Sequence, residues 1–101
     1  MSRIYISGPI TGNPEFQTQF ERAFLYLTGK GYTPVNPAMS MHLLPSDATY
    51  EEYMNIDLEL LGMCNAIYML NGWEKSKGAC IELGYAMGTD KFIFYEQEGT
   101  I

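Results

Sequence analysis

Four short strand-like runs punctuate the chain: "RIYIS" (3–7), "YTPVN" (32–36), "NAIYML" (65–70) and "KFIFY" (91–95). The three stretches between them each contain a segment with helical rather than alternating character. This alternation constrains the fold more than any other feature. Parallel strands cannot be joined by tight turns; they need crossovers of about a dozen residues or more, usually helical. The order β-α-β-α-β-α-β therefore implies an α/β chain with right-handed crossovers. The expected architecture is a flavodoxin-like, Rossmann-like doubly wound parallel sheet of about four strands in order 2-1-3-4. One domain spanning residues 1–101 is expected.

The local signals agree with that frame. In residues 14–29, Phe16, Phe20, Ala23, Phe24 and Leu27 follow i, i+4, i+7, i+8 and i+11, the stripe of an amphipathic helix. "GKGY" then places glycine where a left-handed cap is wanted. Pro34 inside the second strand argues for a sheet edge. Residues 37–49, with prolines at 37 and 45, read as a long loop. Thr49 and Glu52 form a capping box for a helix over 50–63. "NAIYML" is continuously apolar, as in a strand covered on both faces. "NGWEKSKG" reads as a loop, Ser76 caps a helix running to about Met87, and "EQEGTI" (96–101) is a tail.

Composition narrows the partners. The formal charge of −6 disfavours a nucleic-acid polymer. A small phosphate ligand stays possible, because backbone amides at a helix start hold one without a basic patch. No apolar run reaches the roughly 20 residues of a membrane span and no secretory signal opens the chain, so a cytoplasmic protein with no membrane partner is expected. Cys64 and Cys80 stand apart from one another, without a CxxC and with His42 as the single histidine; this is no metal pattern, and no metal or cofactor is expected. Both cysteines read as packing thiols in apolar surroundings. His42 reads as a bystander, and the Met39, Met41, Leu43, Leu44 group as either a lid or loop packing. The short chain and its aromatic helix faces suggest a homo-oligomer.

In a doubly wound sheet the ligand lies beyond the carboxyl ends of the strands, at the switch point. Here that point is flanked by "SGPITGN" and "LNGWEKSKG", which makes the turn Gly8, Pro9, Ile10, Thr11, Gly12 a candidate cradle. Ser76 is either a plain cap or part of an anion site, with Lys75 and Lys77 beside a helix start that itself repels cations. Glu82 shares a helix face with Gly78, Ala79, Tyr85 and Ala86, and has no cation three or four residues away. It lies either at the edge of a cleft or on a solvated flank. Asp57 stands in mid-helix, four residues after Tyr53, where aspartate is a poor choice unless it is simply exposed.

"RIYISGPITG", "NIDLELLGMCNAIYML" and "SKGACIELGYAMG" together resemble the nucleoside 2-deoxyribosyltransferase superfamily, most closely its small phage-type members and the 2′-deoxynucleoside 5′-phosphate N-hydrolases. The pattern of Ser76, Gly78, Glu82, Leu83, Gly84 and Ala86 is the most specific part. The resemblance implies an enzyme that cleaves or transfers the N-glycosidic bond of a 2′-deoxynucleoside or its 5′-monophosphate. It implies Glu82 as the nucleophile and Asp57 beside the sugar and the departing base. Tyr5 and the glycine turn (Gly8, Pro9, Ile10, Thr11, Gly12) would line the pocket, with Ser76 at the phosphate and Gly78 also binding substrate. Thr11 stands where the nucleotide hydrolases carry a basic residue, and Asn65 where an aspartate is common. The missing further strand and tail tilt the expectation toward a 5′-phosphate substrate. The rival readings are a non-catalytic nucleotide sensor and a phage partner-binding protein on the same fold.

Overall fold

The computed structural model describes residues 2–96. Four parallel strands form one sheet in the order β2-β1-β3-β4, with β1 at Arg3–Ser7, β2 at Thr33–Val35, β3 at Ala66–Met69 and β4 at Phe92–Tyr95. The register pairs Tyr5 with Val35 on one side and with Ile67 on the other, and Ser7 with Met69. Pro34 lies in β2, at the sheet edge, where its missing N–H disturbs no second ladder.

Helix α1 (Phe16–Gly29) packs Phe20, Ala23 and Leu27 against Ile4, Ile6, Tyr68 and Leu70. The opposite face of the sheet carries Tyr5, Ile67 and Met69 against α3 (Tyr50–Gly62) and α4 (Lys77–Gly88), through Leu61, Ala79, Leu83 and Ala86. The two-residue period of β1 thus sends Ile4 and Ile6 one way, and Tyr5 and Ser7 the other. Helix α1 starts two residues later than its apolar period suggests. The Asn13 side chain accepts the Glu15 N–H at 3.2 Å and holds that stretch as a turn. Gly31 supplies the left-handed cap at φ +92°. The Thr49–Glu52 capping box is complete, with bonds of 3.1 and 2.8 Å.

Two expectations are corrected. Residues 37–49 are not one loop: α2 (Pro37–Ser40) and a 3₁₀ turn at Met41–Leu43 occupy its first half. The Asn36 side chain accepts the Ala38 N–H at 3.0 Å and Pro37 sits in the first turn, two helix-start signals in succession. Cys80 is not a packing thiol. Cys64 is buried, but Cys80 lies exposed, because the buried stripe of α4 runs through Ala79, Glu82, Leu83 and Ala86 and leaves Cys80 beside it. A further 3₁₀ turn, Trp73–Lys75, shapes the loop before α4. The expected tail, apart from Glu96, lies outside the described residues.

Candidate active site

Glu82 projects from the buried face of α4 toward the end of β1 and is only 5% exposed. An isolated buried carboxylate is costly, so its partners matter. The Tyr5 hydroxyl donates to its Oε2 at 2.6 Å, and the Ser7 hydroxyl donates to its Oε1 at 2.6 Å. Burial pushes the Glu82 carboxyl up to about 7; the Ser7 and Tyr5 hydrogen bonds pull it down, and the Asp57 charge adds to the rise. Burial, and then the Glu82 charge, push the Tyr5 phenol well above its ordinary value. Tyr5 therefore stays protonated and remains a donor at neutral pH. Asp57 on α3 is half-buried, and that burial raises its carboxyl to about 6.

Glu82 and Asp57 line one pocket of about 220 Å³, together with Gly8, Ile10, Thr11, Ser76 and Gly78. The floor of this pocket is the end of β1 and the first turns of α4; its far wall is α3, through Tyr50, Tyr53 and Met54. The Ser76 hydroxyl accepts the Ala79 N–H at 3.2 Å as an N-cap, which leaves its own proton free to donate. At the lip, the Lys77 ammonium lies 5.5 Å from the centre of the Tyr50 ring. Lys77 is thereby drawn toward an aromatic face beside the helix start that its charge would otherwise oppose.

Of the residues singled out in the sequence, Glu82, Asp57, Gly8, Ile10, Thr11, Ser76 and Gly78 converge on this pocket. Tyr5 sits behind Glu82, fully buried, and reaches it only through its hydroxyl. Pro9 and Gly12 are not lining residues: Pro9 accepts the Asn13 Nδ2–H at 2.9 Å, and Gly12 makes the turn at φ +76°. The two glycines of "GPITG" serve different ends. Gly12 supplies a left-handed backbone, whereas a β-carbon at Gly8 would sit 2.8 Å from the Leu70 Cβ. Of the apolar loop group, Met41 lines the pocket, while Met39 and Leu43 are exposed. Sequence reasoning missed Ser7, Tyr50 and Met54. Ser7 was legible in one respect: it lies two residues after Tyr5, on the same strand face. Among the described residues no cluster of three His, Cys, Asp or Glu side chains is arranged to hold a metal.

Comparison with known proteins places the chain in a family. It belongs to the family described as "Domain of unknown function (DUF4406)", which matches residues 2–95. Among solved structures, a 2-desoxiribosyltransferase from Leishmania mexicana superposes with a TM-score of 0.72 at 22% identity. The alignment covers 94% of this chain but only 63% of that one, and at this identity the likeness is one of fold. None of the curated proteins compared matches the chain. No helix among the described residues is long and apolar enough to cross a membrane.

Proposed function

We propose that this chain cleaves or transfers the N-glycosidic bond of a 2′-deoxynucleoside, with the 5′-monophosphate as the preferred form. The observation that carries the reading is Glu82: a buried carboxylate with each oxygen held by a hydroxyl, opening on a pocket shared with a second carboxyl. The deoxyribosyltransferase fold supports it. In the first step a Glu82 oxygen forms a bond to the anomeric carbon. The carbon–nitrogen bond breaks, and its electron pair leaves with the base, which takes up a proton. In the second step water, or an acceptor base, attacks the same carbon and the ester oxygen departs, restoring the carboxylate. Asp57 is assigned to the sugar and to the departing base, where a carboxyl raised to about 6 can hold or pass a proton near neutral pH. Ser76 and the first amides of α4 are assigned to the phosphate. Pro9 and Gly12 shape the turn that carries Ile10 and Thr11.

A single domain over the whole chain, a homo-oligomeric state and a cytoplasmic setting belong to the same proposal. The burial of Glu82, 5% exposed, favours a second reading. Burial disfavours the charged carboxylate, and a neutral Glu82 would donate a hydrogen bond to a sugar hydroxyl rather than attack carbon. A non-catalytic nucleotide sensor would use it so. Incubation with a panel of deoxynucleosides and their 5′-monophosphates, followed by chromatography for free base, separates the two. Base release supports the enzyme; binding without release supports the sensor.

A further inference from the structure

We propose that Ser7 is the positioning residue of Glu82, locking the carboxylate in one orientation through a buried hydrogen bond from the end of a central strand. The proposal deepens the glycosidic reading and rests on it for its catalytic meaning, but the contact itself can be tested without substrate.

Ser7 is 1% exposed and its hydroxyl lies 2.6 Å from the Glu82 Oε1. Tyr5 holds the other oxygen at 2.6 Å from the same strand face. A carboxylate held at one oxygen can still rotate about its last torsion; held at both, it cannot. The clamp is built on a rigid base. Ser7 is paired in register with Met69, and its carbonyl accepts the Leu70 N–H at 2.8 Å. The next residue, Gly8, is pressed so close to Leu70 that a β-carbon would collide with it. The Ser7 backbone therefore cannot drift without moving two strands, and the bond to Glu82 holds the hydroxyl in one rotamer. Serine is also the smallest side chain that carries a hydroxyl donor. A donor at this point of β1 leaves room for the pocket beyond.

The groups facing Glu82 fall on two sides. Ser7 and Tyr5, both of β1, donate to the charged form and favour it. Burial and the Asp57 charge from α3 oppose it, and the Tyr50 phenol of α3 feels both carboxylates. With the balance this close, loss of one donor tips Glu82 toward its neutral, non-nucleophilic form. A purely structural serine would alter stability and leave the carboxyl titration where it was.

The test follows the Glu82 side-chain carboxyl by carbon-13 NMR across pH in the parent, Ser7→Ala and Ser7→Cys. The expected midpoint rises by about one pH unit in Ser7→Ala. It rises by less in Ser7→Cys, whose thiol is a weaker donor. In parallel, base release from a deoxynucleoside monophosphate should lose about tenfold in kcat near neutral pH. KM should change little, and the acid limb should move by the same interval. An unmoved Glu82 midpoint in folded Ser7→Ala overturns the proposal; where that variant does not fold, an unmoved midpoint in Ser7→Cys does. If the parent releases no base from any nucleotide yet the midpoint moves, the clamp stands and the glycosidic reading falls. If base is released and the midpoint stays, the reverse holds.

Discussion

Strand β1 serves two interiors. On one face Ile4 and Ile6 meet Phe20, Ala23 and Leu27 of α1; on the other, Tyr5 and Ser7 meet Glu82 of α4. All four strand residues are buried to the same degree. The α1 face is held by apolar burial, which is non-directional and tolerant of small shifts. The α4 face holds a charge-bearing group by two short hydrogen bonds, which demand placement to a fraction of an ångström. Equal burial therefore does not mean equal purpose: one side of the strand stabilises the fold, and the other carries a group that burial alone would neutralise.

That contrast is broken most severely by Glu82→Gln. The variant should stay folded and keep its nucleotide affinity, but lose base release by roughly 10⁴-fold, since the amide cannot act as a nucleophile. Undiminished release, followed by chromatography, would take Glu82 out of the mechanism. On the other face, Leu27→Ala or Ile6→Ala should cost about 2–5 kcal/mol in urea unfolding through lost burial and a residual cavity. Activity per folded molecule should change little. A large loss of turnover in these variants without loss of stability would erase the division between the faces.

The pH dependence of stability sharpens the same comparison. Glu82 rises from an ordinary value of 4.5 to about 7, so the folded protein binds this proton more tightly than the unfolded chain. Stability from this group is greatest below pH 4.5, falls as pH rises toward 7, and levels off above it. The difference is on the order of 3 kcal/mol. Asp57 shifts in the same direction but is only half-buried, so it adds less. Denaturation at several pH values should show the parent losing stability across this window relative to Glu82→Gln. A parallel pair of curves would mean that Glu82 is not perturbed.

Ser76→Ala is expected to weaken a 5′-monophosphate by roughly 1.5–3 kcal/mol while leaving the matching nucleoside nearly unchanged, as calorimetry can tell. Equal weakening of both would reduce Ser76 to its cap. The smallest effect is expected at Trp73, whose Nε1 is buried with no partner among the described residues. Its ring packs 5.8 Å from that of Tyr95. Trp73→Phe removes an unpaired donor along with some packing, so its stability change should stay within about 1 kcal/mol. A loss of several kcal/mol would reveal a partner for the indole.

Much of this was legible beforehand because it rests on short-range rules. The capping box at Thr49 and Glu52, the stripe of α1 and the edge position of Pro34 each depend on residues within one or two turns of each other. The small-residue face around Glu82 marked it as unusual but left open whether it was buried or solvated. The short helix after Asn36 rests on an equally local signal, but two prolines in thirteen residues resemble a loop and mask it. Ser7 escaped notice because serine before a glycine turn looks like ordinary turn chemistry.

The sequence alone determined the alternation of strands and helices, and with it the expectation of a parallel sheet joined by crossovers. These follow from periodicity and from what crossovers allow. Only the tertiary structure decided that Glu82 is buried rather than solvated, and that Cys80 is exposed. It alone brought Tyr5 and Ser7 within 2.6 Å of a carboxylate more than seventy residues away. The reason is that helical and strand periods assign a residue to a face, whereas burial and titration depend on what another element presses against that face.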